Sequence, residues 1–140
     1  MAINRSSIRR HVASLLSENV RSSQNVWPYQ KAKLQGTSPI ITVTSSGTYR
    51  PPLTTRGSST VIRLTVSIYV LHSAPGWTEE QAEDQLDQLE SEIAEVLTKY
   101  GGTPFWNSLR WEAPSMIGME VQSEGEAYLY ETIPLEVTVL

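Results

Sequence analysis

The sequence of 140 residues contains no cysteine and only two histidines, His11 and His72. Without cysteine the chain has no disulfide framework and no thiolate to serve as a nucleophile or a metal ligand. The histidines are far apart in the sequence, so a zinc site built on them would need carboxylates to complete it. No apolar run approaches the roughly 18 residues of a membrane-spanning helix. These absences argue against a metal site, a cofactor and a membrane span.

Catalytic motifs are missing as well. The sequence has no glycine-rich phosphate loop and no GxSxG elbow. Neither histidine has an acid nearby in the sequence that would suggest a triad, although a triad assembled in space stays open. The acidic stretch "TEEQAEDQLDQLESEIAE" lacks the turn-rich geometry of a calcium loop. We therefore predict that the protein is not an enzyme.

The hydrophobic content of 39% is sufficient for a folded core, and the length predicts one domain spanning residues 1–140. A first helix is predicted from a cap at Ser6 or Ser7 to about residues 21–23, since apolar residues recur there at helical spacing. A second helix is predicted from Thr78, which forms a capping box with Gln81, to Gly101-Gly102, one of them in the left-handed conformation. The N-terminal arginines and serines also fit a mitochondrial transit peptide.

β-Branched and alternating segments predict five strands, at residues 40–44, 61–72, 105–113, 116–122 and 127–140. The order α-β-β-α-β-β-β predicts an α+β two-layer sandwich, a mostly antiparallel sheet with two amphipathic helices on one face. Pro134 predicts that the last strand is at an edge or is irregular there. The opposite face would be bare and would expose Tyr69, Tyr128 and Tyr130 to a partner.

Charge is divided unevenly along the chain. Residues 1–78 contain nine basic residues and one acid, a net charge of +8, and residues 79–140 contain two basic residues and fourteen acids, a net charge of −12. The two halves could neutralise each other within one chain. Alternatively, they could form oppositely charged surfaces through which copies associate in a ring or stack. Contact of the basic half with nucleic acid is a third alternative.

Residues 45–60, "SSGTYRPPLTTRGSST", form a long polar connection between two predicted strands. Connections are usually about 4–6 residues long, and longer ones tend to be functional or disordered. We predict a protruding arm that orders against a neighbouring subunit or ring partner, with a mobile surface loop or a channel lining as alternatives. The predicted contact residues of the arm are Tyr49, Arg50, Leu53, Arg56 and Arg63. Those of the acidic helix that it would meet are Glu80, Glu83, Asp84, Asp87 and Glu90.

The layout resembles the tail terminator proteins of long-tailed bacteriophages, which are also called tail completion or head-tail joining proteins. The resemblance rests on an arginine-rich first helix, "INRSSIRRHVASLL", and a strand pair around a long loop, "PIITVT" and "VIRLTVSIYVLH". It continues through an acidic second helix, "TEEQAEDQLDQLESEIAEVL", to the last strand, "YLYETIPLEVTVL". It covers nearly the whole chain, in element order and character and without a diagnostic short motif.

The resemblance implies a structural virion protein that forms a ring, usually of six copies, on the finished tail tube. Such a ring ends tube growth and joins the tail to the head connector, and DNA passes through its lumen without sequence-specific binding. The implied partners are further copies, the tail tube protein and a connector or neck protein, at the tail-head junction of the virion and in the host cytoplasm during assembly. Alternatives are another neck component such as a head-closure protein, a small α+β ligand-binding module, or an organelle-targeted protein.

Overall fold

Two helices and six strands make up the computed structural model of the chain, which describes residues 4–22, 25–51, 59–72, 75–122 and 125–139. The elements in chain order are α1 (Arg5–Asn19), β1 (Val26–Trp27), β2 (Ile40–Tyr49), β3 (Thr60–Leu71), α2 (Glu79–Lys99), β4 (Ser108–Trp111), β5 (Met116–Val121) and β6 (Ala127–Val139). This order confirms the predicted α+β class and adds β1, which the sequence pattern did not reveal. The strand predicted at residues 105–113 is shorter, because it is confined to β4.

The ends of the helices agree only in part with the predicted caps. Asn4, and not Ser6 or Ser7, caps α1: its side chain accepts hydrogen bonds from the backbone N–H groups of Ser6 and Ser7, at 2.9 and 3.4 Å. The Thr78 capping box of α2 is confirmed. The asparagine oxygen serves as well as serine at this position, since both satisfy N–H groups that have no partner within the helix.

The second helix ends without a left-handed glycine. Tyr100 caps it with a φ of −111°, and its N–H donates to the Val96 carbonyl. Neither Gly101 nor Gly102 has a positive φ, so that prediction was wrong. Trp106 instead fixes the chain at the end of the helix. The indole N–H of Trp106 donates a hydrogen bond to the Tyr100 carbonyl at 3.0 Å.

The sheet has the strand order β1-β2-β3-β6-β4, and β5 also pairs with β6. The pairing of β1 with β2 is parallel, and the other pairings are antiparallel. β4 and β5 lie end to end along one side of β6, opposite residues 135–138 and 127–132. The last strand of the chain is therefore an inner strand of the sheet, and the prediction that it could form an edge was wrong.

Pro134 lies at the gap between β4 and β5. Its carbonyl accepts a hydrogen bond from the Glu112 N–H at 2.9 Å, on the side of β6 where those two strands lie. The N–H and C=O of one residue in a strand point to the same side. The ring nitrogen of Pro134 therefore faces the interruption, where no ladder hydrogen bond is lost. β6 itself runs through Pro134 without a register shift against β3, so the interruption lies in the neighbouring strands and not in β6 as predicted.

Both helices cover the same face of the sheet. α1 packs on β1 and β2, and α2 packs on β3, β4 and β6. The core between the layers contains the apolar stripes of both helices, one face of β6 and the alternate residues of β3, Ile62, Leu64, Val66, Ile68 and Val70. The alternating pattern that predicted a half-buried strand therefore identified the core face correctly.

The opposite face is partly covered, which corrects the prediction of a bare tyrosine surface. The connection between β1 and β2, residues 28–39, folds back over one end of this face. Tyr69 and Tyr128 are buried there with Leu34 and Ile40, and Tyr130 is half-buried against them. The Tyr69 hydroxyl donates to Gln30 and the Tyr128 hydroxyl to the Thr37 carbonyl, at 3.2 and 3.1 Å. Burial raises the pKa of Tyr128 to about 12.

Candidate subunit interface

The predicted loop at residues 45–60 is shorter in the structure. β2 continues to Tyr49 and β3 begins at Thr60, with Tyr49 opposite Val61. Residues 45–49 are therefore strand, although a bulge lies between Ser45 and Gly47. A bulge raises the local twist of a hairpin and can redirect its end. The connection that remains is residues 50–59.

Two of the predicted arm residues lie at the base of this connection. The Tyr49 side chain is 60% exposed. The Arg50 guanidinium donates to the Thr60 hydroxyl at 3.3 Å, across the base of the hairpin. Leu53 and Arg56 lie outside the described residues. An exposed aromatic ring at the end of a strand is the type of side chain that anchors protein contacts.

Arg63 joins the basic half of the chain to the acidic half. Its guanidinium lies 3.3 Å from a Glu112 carboxylate oxygen and 4.0 Å from one of Glu136. Arg110 contacts the other oxygen of Glu136 at 2.7 Å. This predicted contact residue is thus engaged within its own chain, on the face of the sheet opposite the helices.

The predicted acidic residues of α2 lie on its outer side. Glu80, Glu83, Asp84 and Asp87 are exposed, and Glu90 is half-buried. Across the described ranges, no group of three or more histidine, aspartate or glutamate side chains is arranged to hold a metal ion. The helix therefore presents a row of carboxylates to solvent, and these are free to meet a cationic surface.

Glu92 is buried in the same helix, and sequence reasoning missed it. Its carboxylate accepts hydrogen bonds from the backbone N–H groups of Arg21 and Ser22, at 2.8 and 3.2 Å, and from the Ser22 hydroxyl. Gln88 donates to it at 3.2 Å. Burial raises the pKa of Glu92, but the hydrogen bonds outweigh burial and hold it below its usual value. Its position three residues after Leu89, on the apolar stripe, was the available signal.

Glu131 is a second buried carboxylate that sequence reasoning missed. It lies on the helix-facing side of β6, where the Ser115 hydroxyl donates to it at 2.5 Å. Burial is the main cause that raises its pKa, and the nearby charges of Glu90 and Asp87 add to the effect. The signal in the sequence was an acid midway between Leu129 and Ile133, in an otherwise apolar alternation.

The outermost strand β5 is the most exposed apolar element in the described part of the chain. Met116, Ile117, Met119 and Val121 are 72, 57, 49 and 69% exposed. Within the described residues α2 packs mainly over β3, β4 and β6, and β5 lies beyond these strands. Contiguous apolar surface of this kind marks sites of association. The sequence predicted the strand but not its position at an edge.

The two charged halves of the chain occupy opposite sides of the sheet, β1 to β3 on one and β4 to β6 on the other. Helix α1 packs beside β1 and β2, which form one edge, and the acidic helix α2 packs on β3, β6 and β4, from the middle of the sheet to the other edge. At the first edge the Arg5 guanidinium donates to Thr48 at 3.1 Å. That of Arg9 donates to the Pro28 carbonyl and the Ser45 hydroxyl, at 2.7 and 3.1 Å. We call β1, the outer side of β2 and these arginines the basic edge.

Comparisons with known proteins add no identity. No protein-family model matches the sequence, and no curated protein is similar to it. None of the helices in the described residues is both long and apolar enough to cross a membrane. The geometry of the molecule itself therefore carries the functional argument.

Proposed function

We propose that this protein is a structural ring-forming component of a phage tail, a tail terminator that caps the tail tube and joins it to the head connector. In this role it has no catalytic residues. Its copies associate head to tail around a lumen through which DNA passes. The ring has six copies, the number usual in the family that the sequence resembles.

The observation that carries the proposal is the position of opposite charges at opposite edges of one sheet. A cyclic assembly joins different patches of neighbouring copies, so each copy needs two complementary surfaces. The basic edge and the exposed carboxylates of α2 meet that requirement. Complementary charge of this kind sets specificity and the rate of association more than raw affinity.

The connection between β2 and β3 supplies a second contact in this proposal. The exposed ring of Tyr49 and the arginines near it would order against the neighbouring copy or against the end of the tube. Its polar, proline-containing sequence suits a segment that folds on binding, with an entropic cost that only the assembly offsets.

Tube growth in the presence of the purified protein tests the proposal directly. Tail tube protein is polymerised with and without it, and tube lengths are measured by electron microscopy. We expect shorter tubes with a ring at one end. Tubes that grow to the same length, with no protein bound at their ends, would refute the tail terminator role. Binding to the isolated head connector but not to tubes would indicate a head-closure protein instead.

A further inference from the structure

The edge strand β5 lacks the usual protection against pairing with another strand. Exposed sheet edges are normally protected by lysine, proline, a bulge or a covering segment. Residues 116–121, "MIGMEV", contain no basic residue and no proline. They pair without a register shift along β6, from Met116 opposite Thr132 to Val121 opposite Ala127. The strand is therefore straight, apolar and unpaired on its outer side within the described structure.

The hydrogen-bond pattern identifies the backbone groups that face outward. At the β5–β6 turn, the Gln122 N–H donates to the Glu126 carbonyl at 2.8 Å. The Ala127 carbonyl instead accepts from His72, and so points away from β5. Because antiparallel pairs alternate, the N–H and C=O groups of Ile117, Met119 and Val121 point outward.

The charge around β5 favours a cationic partner. Glu120 is exposed in the strand itself. On the helix-facing side, Ile117 lies opposite the buried Glu131 of β6, which is near Asp87 and Glu90 of α2. We call β5 with these four acids the acidic edge. A strand added here would bring its own charges beside these carboxylates, so a cationic strand edge is the complementary partner.

The same chain offers such a strand edge at the other end of its sheet. β1 pairs with β2 only at Ile41 and Thr42, so the outer side of β2 beyond Thr42 has no strand beside it in the described structure. Arg5 and Arg9 reach this stretch of β2 through Thr48 and Ser45. An unpaired backbone edge with cationic side chains is therefore present in every copy.

We infer that β5 of one copy adds to the basic edge of the next copy, so that the sheet continues from subunit to subunit. β5 runs opposite to β2, since three antiparallel pairings separate them in the sheet. Neighbouring copies in a ring whose axis runs roughly along the strands would therefore pair these strands antiparallel. This inference rests on the head-to-tail assembly of the proposed function, and it identifies which strands make the joint.

A six-residue strand about 20 Å long is too small to make a stable joint alone. Stable interfaces bury about 800 Å² on each partner. The carboxylates of α2 and the exposed ring of Tyr49 would supply further area. Assembly should therefore be sensitive both to the outer backbone of β5 and to the charge placed on it.

Two substitutions of one residue separate backbone pairing from side-chain docking. Met119→Pro removes an outward N–H and leaves the β5–β6 hydrogen bonds intact, whereas Met119→Ala removes a similar side chain and keeps the N–H. Self-association is measured by light scattering, and folding by circular dichroism. We expect the proline variant to associate at least about tenfold more weakly than the alanine variant, a difference of about 1.4 kcal/mol. Equal association of the two variants would overturn the inference.

The charge on β5 gives a second test that does not depend on proline. Val121→Lys places a cation opposite the basic edge, and Val121→Glu is the matched control at the same exposed position, which lies opposite the neutral Ala127 of β6. We expect the lysine variant to lose association and the glutamate variant to retain it. The same loss in both, or no loss in either, would argue against a cationic partner strand.

Mixing variants of opposite edges tests the head-to-tail arrangement. Arg5→Glu impairs the basic edge, and an acid in the first turn of α1 is compatible with the helix dipole. In a mixture, the intact β5 of the Arg5→Glu variant can still pair with the intact basic edge of the Met119→Pro variant. We therefore expect heterodimers in the mixture, whereas each variant alone is monomeric. Absence of heterodimers, or a wild-type protein that stays monomeric at low salt, would overturn the inference. Association through β5 without any effect on tubes would refute only the tail terminator role.

Discussion

The carboxylate of Glu92 accepts a hydrogen bond from the backbone N–H of Arg21 at 2.8 Å. This contact joins the middle of α2 to the chain just after α1, 71 residues away in sequence. The N–H and hydroxyl of Ser22 also donate to the same carboxylate. One buried acid thus provides the acceptor for the chain as it leaves the first helix, where backbone donors would otherwise lack partners.

Replacing Glu92 by glutamine is expected to destabilise the protein by about 1–3 kcal/mol at neutral pH. Glutamine is neutral, and its amide nitrogen cannot accept the bonds that the second carboxylate oxygen receives. Because the folded-state pKa of Glu92 is lowered, its stabilisation is present above the ordinary value of 4.5 and is lost as the pH falls through the folded-state pKa.

Denaturant unfolding at several pH values measures this effect. The difference in the free energy of unfolding between the wild type and Glu92→Gln should be largest at neutral pH and should decrease as the pH falls below 4.5. Glu95→Gln, at an exposed position one turn later, is the matched control and should change stability by less than about 0.5 kcal/mol. A difference that does not change with pH would contradict the assigned role of the charge.

The fold could be predicted where one local signal decided the structure. The Thr78 capping box and the alternation in β3 depend on neighbouring residues, and both are confirmed. The two-residue strand β1 could not be predicted, because it exists only through its pairing with Ile41 and Thr42. The burial of Tyr128 likewise depends on residues 28–39 folding over the sheet, a tertiary contact without a local pattern.

Replacing Glu131 by glutamine is expected to stabilise the protein at neutral pH. The amide keeps an acceptor for the Ser115 hydroxyl and removes a buried charge that lies near Asp87 and Glu90. Since the pKa of Glu131 is raised in the folded protein, ionisation opposes folding, and stability falls as the pH rises from 4.5 through the folded-state pKa. The gain from Glu131→Gln should therefore be largest at neutral pH and vanish below pH 4.5.

Thermal unfolding across this pH range would test the prediction, with the exposed Glu120→Gln as the control. Removal of a solvated charge should have little effect at any pH. If Glu131→Gln lowers stability at neutral pH, the carboxylate has a stabilising partner, and its assignment as a buried charge that opposes folding is wrong.

The division of charge was visible in the sequence, but the exposure of β5 was not. Counting acids and bases along the sequence revealed the two halves, and the sheet order places them at opposite edges. The exposure of Met116 and Ile117 follows from the position of β5 beside β6, which no local pattern specifies. Short apolar strands look alike in sequence whether they lie in the middle of a sheet or at its edge.

Gly118 provides a test of how β5 is held to the sheet. A β-carbon added there would lie 2.6 Å from the Tyr130 hydroxyl oxygen, closer than a β-carbon normally comes to any other heavy atom. Gly118→Ala is therefore expected to displace the Tyr130 ring and to cost about 1–3 kcal/mol. In a Tyr130→Ala background the same change should cost much less, so unfolding of the four proteins should give a coupling energy above about 0.5 kcal/mol. Additive effects would show that the ring does not hold β5.

Self-association is expected to weaken as salt is raised. Between about 0.01 and 1 M ionic strength the Debye length falls from roughly 30 to 3 Å, so exposed charges on neighbouring copies cease to attract each other. Arg5 and the exposed acids of α2 are of this type. Light scattering at fixed protein concentration should show the mass falling from that of the assembly toward that of one chain.

The apolar side chains of β5 should favour self-association at every salt concentration, because burial of apolar surface is not weakened by simple salt. The Val121→Lys variant should therefore be most defective at low salt, where it is also repelled by the basic edge, and should partly recover as salt screens that repulsion. Wild type and variant would then converge at high salt. A wild-type mass independent of salt would leave apolar and backbone contacts as the source of association, and the charge division along the chain would have no part in assembly.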